Sequence, residues 1–100
     1  MILVNLGVLV MINLVKLYTT WCTPCKMLTP ILEKLKEEFK DKISVQEVNV
    51  DNGIPEQYNN LNIMSTPTLL FLSDGKLLEK VSGLKSYDEL KSIIKKLLGE

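Results

Sequence analysis

The chain contains no histidine and only two cysteines among its 100 residues, and these shortages exclude several kinds of site. A structural zinc site needs four ligands, usually cysteine or histidine, so a zinc ion or an iron–sulfur cluster would require carboxylates or a second chain to complete it. Two cysteines are also too few for the disulfide framework of a small secreted domain. We therefore expect no metal site within a single chain.

Net charge is lacking as well, because 12 basic and 12 acidic residues balance. A chain without net charge produces no field that attracts nucleic acid, so we expect no nucleic-acid partner. The sequence has no internal repeat, linker or low-complexity segment. With 46% apolar residues, its length suffices for a modest core, and we predict a single soluble domain over 1–100.

One long apolar stretch is present, MILVNLGVLVMINLV at 1–15. A signal peptide would need a basic region before it and a small-residue cleavage site after it, and the stretch has neither. It is also shorter than the roughly 20 residues of a membrane-spanning helix. We expect one or two buried strands here, and no association with a membrane.

The hydrophobic pattern of the first half predicts a strand, a helix and a second strand. Residues 12–18 (INLVKLY) and 43–50 (ISVQEVNV) are rich in β-branched and apolar side chains, as in buried strands. Between them, one helical face carries Met27, Leu28, Ile31, Leu32, Leu35 and Phe39. Pro24 suits the first turn of this helix, and Pro30 is expected to kink it. A strand–helix–strand unit requires a right-handed crossover and a parallel strand pair.

The second half predicts a short helix, a hairpin and a final helix. Residues 51–62 indicate a loop and a short helix that begins at Pro55. Strands over Thr68–Leu72 and Leu77–Val81 flank an Asp-Gly turn, which is a strong hairpin signal. The sequence SYDE, from Ser86, is a capping box that opens the last helix. The predicted order β-α-β-α-β-β-α is an α/β fold: a central mixed β-sheet flanked by helices.

The two cysteines lie three positions apart in WCTPCK, between the first strand and the first helix. A disulfide that closes so short a loop removes little entropy from the unfolded chain, so a structural disulfide is a poor explanation. Free N–H groups and the dipole at a helix N-terminus stabilise a thiolate, so we expect the pKa of Cys22 to lie below the free value of about 8.5. Cys25 lies one turn further along, close enough to attack a mixed disulfide at Cys22. Cys22 is therefore expected to start thiol–disulfide exchange and Cys25 to resolve it.

The motif WCTPCK, followed by a helix that carries Pro30, resembles the active site of the thioredoxin family, whose usual form is WCGPCK. A second motif, STPT at 65–68, is similar to the segment where that family has a cis-proline against the cysteines. Further matches are Val48-Asn49-Val50-Asp51, Asp74-Gly75 and Gly83. The resemblance runs from about residue 12 to residue 98 and implies a thioredoxin-like fold.

The resemblance also implies an activity, reduction of protein disulfides by the Cys22–Cys25 dithiol. It implies a contact surface for the substrate formed by Trp21, Thr23, Pro24, Thr66 and Pro67, with backbone pairing at Thr66. The redox-active disulfide would serve without a metal or organic cofactor. The expected partners are disulfide-containing proteins and a thioredoxin reductase, and we expect a monomer in the cytoplasm.

Three departures from the family pattern are visible. Thr23 replaces the usual glycine between the cysteines, so the resemblance does not give the redox potential, while the lack of a histidine there favours a reductant. Only 21 residues precede Cys22, about ten fewer than usual, which implies a truncated N-terminal β/α unit. The family's buried aspartate, six residues before the first cysteine, is Lys16 here, and its lysine partner aligns with Glu47.

We interpret Lys16 and Glu47 as a reversed pair with a catalytic part, in which Glu47 accepts the proton from Cys25 and Lys16 neutralises it. The alternative is a solvated ion pair between strands that takes no part in catalysis. Two other functions also remain open. One is glutaredoxin-like reduction of glutathione mixed disulfides, although that family's Pro-Tyr and Gly-Gly pairs are missing. The other is a non-catalytic binding subunit with a thioredoxin fold.

Overall fold

The computed structural model describes residues 11–100, and within them the predicted order of elements is confirmed. The elements are β1 (Ile12–Tyr18), α1 (Thr23–Phe39), β2 (Ile43–Asn49), a 3₁₀-helix (Glu56–Leu61), β3 (Thr68–Ser73), β4 (Lys76–Ser82) and α2 (Tyr87–Leu97). Strand boundaries agree with the predicted ones to within one residue, the usual uncertainty of an element end. The strands expected before residue 11, and with them most of the truncated N-terminal unit, lie outside the described residues.

The four strands form one mixed sheet in the order β2-β1-β3-β4. β1 pairs with β2 in parallel, as the crossover through α1 requires, and with β3 in antiparallel orientation. β3 and β4 form the predicted hairpin, in which Asp74 and Gly75 have φ values of 51° and 78°. Positive φ at both central residues is the geometry of the turn that fits the twist of two antiparallel strands.

Both faces of the sheet are covered. One face packs against α1 and α2, and this larger core consists of Ile12, Leu14, Leu28, Leu32, Leu35, Phe39, Ile43, Leu69, Phe71, Leu90 and Ile94. On the other face, the segment with the 3₁₀-helix packs against a smaller core of Val15, Leu17, Val50, Tyr58 and Leu70. Successive residues of β1 alternate between the two cores, as the period of a strand dictates. A membrane-crossing helix, long and apolar enough, is not found in the part of the chain described.

The ends of the helices follow the signals in the sequence. α1 begins after Cys22, has Pro24 in its first turn and runs through Pro30 to Phe39. α2 begins with the predicted capping box, in which the Ser86 hydroxyl accepts from the backbone N–H of Glu89 (3.1 Å) and the Glu89 carboxylate accepts from that of Ser86 (2.9 Å). The start of α1 directly after Cys22 places both cysteines close to the end of β1.

Candidate active site

Cys22 and Cys25 form a disulfide at the N-terminus of α1. Cys22 is the N-cap residue, and its Sγ accepts a hydrogen bond from the backbone N–H of Cys25 at 3.1 Å. This donor is one of the N–H groups that a helix leaves without a partner inside itself. Cys22 is 9% exposed and Cys25 is 2% exposed. Both residues are largely buried, and Cys22 is the more exposed of the two.

The turn between β1 and α1 holds Cys22 in place. The backbone N–H of Cys22 donates to the carbonyl of Thr19 (3.4 Å), and the carbonyl of Cys22 accepts from the N–H of Lys26 in the first turn of the helix (3.2 Å). Pro24, with its fixed φ, sits where a helix start needs no backbone donor. The chain thus leaves the strand and enters the helix within a few residues.

Asp51, which follows β2, forms hydrogen bonds with the same turn. The sequence did not predict this contact. The Asp51 carboxylate accepts from the backbone N–H of Thr20 (2.8 Å) and from the Thr20 hydroxyl, while the Asn49 side chain donates to that hydroxyl (3.3 Å). The hydroxyl of Thr20, followed by its backbone N–H, holds the pKa of Asp51 below the ordinary value of 3.8.

A carboxyl group whose pKa is lowered by folding stabilises the folded state above its unfolded pKa. For Asp51 this contribution is present at neutral pH and is lost as the pH falls below 3.8 through the folded pKa.

The predicted strand topology contained a signal for the contact between Asp51 and Thr20. Parallel strands end at the same edge of a sheet, so the polar residues that follow β1 and β2 meet there.

The segment before β3 lies beside this turn. The Thr66–Pro67 peptide bond is cis, which confirms the expectation based on the STPT motif. The hydroxyls of Thr66 and Thr19 are hydrogen-bonded at 3.2 Å, and the carbonyl of Pro67 accepts from the N–H of Gly83 at 2.8 Å. Thr66 is thereby fixed against the turn that leads to Cys22. Backbone pairing of Thr66 with a substrate stays a prediction.

Two large apolar side chains project into solvent in these two segments. Trp21 is 77% exposed, which excludes a core position, and Met64 is 83% exposed. Thr23 and Pro24 are also exposed, whereas Pro67 is buried beneath the surface that these residues form. Met64 was not predicted. Its sequence signal was only that an apolar residue precedes the STPT motif.

Lys80 on β4 supports the segment that carries Met64. Its ammonium donates to the carbonyls of Leu61 (2.8 Å) and Asn62 (3.1 Å), where the 3₁₀-helix ends with Asn62 in a left-handed conformation. The last carbonyls of a helix have no partner inside it, and a lysine is a suitable donor for them. Nothing in the sequence connected Lys80 to this loop, because the contact joins residues that are 18 and 19 positions apart.

The predicted pair of Lys16 and Glu47 is brought together directly behind Cys25. The two residues are register partners in β1 and β2, and Lys16 Nζ lies 3.0 Å from Glu47 Oε2. The same ammonium donates to the carbonyl oxygen of Cys25 (3.0 Å) and to Thr29 Oγ1 (2.9 Å). The Lys16 side chain is 3% exposed and that of Glu47 is 44% exposed. The pair is therefore not a fully solvated one, since its cation is buried against α1.

A small cleft joins these groups to solvent. It measures about 130 Å³, and Lys16, Tyr18, Cys25 and Glu47 are among the residues that line it. This volume accommodates several water molecules, each of which occupies about 30 Å³ in the liquid. As for metals, residues 11–100 contain no group of three or more Cys, Asp or Glu side chains arranged to hold an ion.

Known proteins are similar to this chain in sequence and in fold. The family model described as Thioredoxin matches residues 9–96. A thioredoxin of Staphylococcus saprophyticus is 37% identical over 87 residues, which cover 87% of this chain and 83% of that protein. A thioredoxin of Bacillus subtilis is 38% identical over 81 residues, which cover 81% and 77%.

A solved structure gives the same result for the fold. A mutant thioredoxin from Halobacterium salinarum superposes with a TM-score of 0.76 at 32% identity, covering 87% of this chain and 74% of the other. The match confirms the thioredoxin fold expected from the motifs, and the curated relatives support the redox function expected from the cysteine pair. The chain belongs to the thioredoxin family and is a thiol–disulfide oxidoreductase that acts on protein disulfides.

Proposed function

We propose that the chain works as a reductant of protein disulfides, with Cys22 as the attacking thiol and Cys25 as the resolving thiol. The observation that carries this assignment is the unequal placement of the two sulfurs. Cys22 caps the helix and is the more exposed of the two cysteines, and backbone N–H groups at the helix start stabilise its thiolate, whereas Cys25 lies one turn further along and is almost fully buried. A substrate sulfur can meet Cys22 first, and only Cys25 is placed to displace it.

The reaction passes two electrons from the Cys22–Cys25 dithiol to the substrate disulfide. The Cys22 thiolate attacks one sulfur of the substrate disulfide, the substrate S–S bond breaks, and the other substrate sulfur leaves as a thiolate that takes up a proton. The Cys25 thiol then loses its proton and attacks Cys22 Sγ. The Cys22–Cys25 bond forms, and the second substrate sulfur leaves as a thiolate that takes up a proton. The substrate gains two electrons and two protons, and the dithiol, counted with both of its thiols protonated, loses them.

Trp21, Thr23, Pro24 and Thr66 form the proposed contact surface, and Pro67 fixes its shape from within. The first three are exposed around Cys22, and Thr66 is tied to the same turn through Thr19. A flat aromatic ring that projects into solvent offers apolar contact area at a low cost in side-chain entropy. Such a surface holds an extended substrate segment beside Cys22 without selecting one sequence.

Glu47 is proposed as the acceptor of the Cys25 proton. Both residues line the cleft of about 130 Å³, so water in the cleft can carry the proton from the thiol to the carboxylate. Lys16, bonded to Glu47 at 3.0 Å, neutralises the carboxylate between cycles. In this arrangement the base reaches solvent and the cation is buried, so the accepted proton can leave the protein.

Glu47→Gln is expected to slow the resolving step by about tenfold or more, because general-base assistance accounts for at least that much. The rate of insulin-disulfide reduction by the reduced protein is measured against pH. In Glu47→Gln, the part of this pH profile that comes from ionisation of a carboxyl group should disappear. Glu37→Gln, a change of the same type on the outer face of α1, should leave the profile as it is. An unchanged rate and pH profile for Glu47→Gln would remove Glu47 from the mechanism.

The proposal extends to the partners and setting of the protein. A thioredoxin reductase would return the Cys22–Cys25 disulfide to the dithiol, the substrates would be disulfide-bearing proteins, and the protein would act as a monomer in the cytoplasm. The support for these points is the family to which the chain belongs. The redox couple itself needs no cofactor, because the dithiol form carries both electrons.

The test of the proposed function combines an activity with a potential. The wild-type protein should catalyse reduction of insulin disulfides by dithiothreitol, and its couple should be at least as reducing as a cytosolic glutathione pool, at about −220 to −260 mV. A potential far above that range would reverse the proposed direction of electron flow. Turnover of glutathione mixed disulfides with glutathione reductase, without reduction of insulin, would indicate a glutaredoxin-type activity instead.

A further inference from the structure

Lys16 is a buried cation whose hydrogen-bonding capacity is used in full. An ammonium group has three N–H donors, and three oxygen acceptors lie 2.9–3.0 Å from Nζ, on Cys25, Thr29 and Glu47. A neutral amine has only two N–H groups and could not serve all three in this way. The geometry therefore fits the charged form, although the residue is only 2% exposed.

The acceptor on Cys25 matters most for the chemistry. Its carbonyl oxygen belongs to the same residue as the resolving sulfur, so the ammonium is hydrogen-bonded to the residue whose thiol resolves the exchange. The other charged or titratable groups that line the cleft are Glu47 from β2, Tyr18 from β1 and Lys26 from α1. Lys26 is exposed, and the ring of Tyr18 lies 5.6 Å from the Lys16 ammonium.

Glu47 opposes the effect of Lys16 only in part. Its side chain is 44% exposed, so water and salt screen its charge, whereas the ammonium lies at 3% exposure. The two redox states also differ in what they offer the ammonium. The disulfide carries no charge, and a Cys25 thiolate carries a full negative charge. The cation thus gains an attraction in the reduced protein that has no counterpart in the oxidised protein.

We propose that the buried Lys16 ammonium selectively stabilises the thiolate form of Cys25 and so shifts the Cys22–Cys25 couple toward the reduced state. This inference rests on the proposed roles of the two cysteines and adds a positioning residue to them. Reduction breaks the S–S bond, adds two electrons and takes up two protons if both thiols remain neutral. Each thiolate that persists lowers the proton uptake by one, and Lys16 favours that outcome at Cys25.

The test measures the redox potentials of the wild type, Lys16→Gln and Lys16→Arg by equilibration with glutathione. The measurements cover about pH 6 to 10, a range that brackets the free thiol pKa of about 8.5. Gln keeps a hydrogen-bond donor without the charge, and Arg keeps the charge. An opposite charge nearby lowers a pKa by about 1–3 units, so Gln should raise the pKa of the Cys25 thiol by about one unit. The potentials of wild type and Gln should coincide well below the thiol pKa. At a pH above the pKa of the Cys25 thiol in both proteins, their equilibrium constants with glutathione should differ about tenfold. This corresponds to a difference of about 30 mV in potential, with Lys16→Gln the more reducing.

The dependence on pH separates this proposal from a structural role. Loss of packing or of hydrogen bonds would shift the potential of Lys16→Gln equally at every pH, and that result would overturn the proposal, as would no shift at all. Lys16→Arg should follow the wild-type curve if the charge is the cause. Thermal unfolding of the oxidised proteins checks that the variants fold.

Glu47→Gln gives a second measurement on a chain that retains Lys16. Removal of the opposing carboxylate should lower the pKa of the Cys25 thiol and make the couple more oxidising at high pH, the reverse of Lys16→Gln. A shift of both variants in the same direction would contradict the proposal. These equilibrium measurements need no protein substrate, so they fail or succeed independently of the insulin assay that tests the proposed function.

Discussion

Cys22→Ser is expected to lower the rate of insulin-disulfide reduction by at least about a thousandfold, since loss of a nucleophile removes the covalent path altogether. Cys25→Ser, the same change one turn further along α1, should also abolish turnover, but it should leave the first attack intact. The Cys25→Ser protein is therefore expected to accumulate a mixed disulfide with its substrate. Mass spectrometry of the two reaction mixtures, without added reductant, distinguishes the two variants.

The outcome decides between an enzyme and a binding module. A Cys22→Ser protein with full biological activity would mean that the fold serves as a subunit and that the dithiol is dispensable. A mixed disulfide formed by Cys22→Ser, and none by Cys25→Ser, would exchange the roles of the two sulfurs. The 9% and 2% exposures of Cys22 and Cys25 favour Cys22 as the attacking sulfur, because a folded protein substrate must approach from the surface.

Local signals predicted most of the fold. The capping box at Ser86, the Asp-Gly turn at 74–75 and the Pro24 helix start each act within a few residues, and each has the predicted geometry. The parallel pairing of β1 with β2 followed from chain connectivity, since a strand–helix–strand crossover permits little else. The cis bond before Pro67 required the family resemblance, because X–Pro bonds are usually trans.

Contacts between distant residues were not predictable in the same way. Lys80 donates hydrogen bonds to the carbonyls of residues 61 and 62, and Asp51 accepts one from Thr20. These contacts depend on where loops meet in the folded chain. The pairing of Lys16 with Glu47 was predicted, but the burial of Lys16 was not. Hydrophobic periodicity does not show when a lysine on the core face of a strand finds polar partners on a helix.

Phe71 is expected to be the most costly of the core residues to truncate. It lies on β3 opposite Leu14 of β1, is 0% exposed and packs in the core beneath α1 and α2. Phe71→Ala removes the buried ring and leaves a cavity, which costs about 3–5 kcal/mol in the free energy of unfolding. Domains of this size have about 5–15 kcal/mol in total, so the variant should lose a large share of its stability.

Urea denaturation of the oxidised protein measures this loss, and Leu78→Ala on β4 is the matched control. Leu78 is 39% exposed, so its truncation should cost about 1 kcal/mol or less. The midpoint for Phe71→Ala should fall far below that of the control with the slope unchanged, because the surface exposed on unfolding stays nearly the same. Equal losses at the two positions would mean that the helix-covered face of the sheet is not the main core. In that case α1 would not be held firmly enough to fix Cys25 against Lys16, and the electrostatic argument for that pair would lose its structural basis.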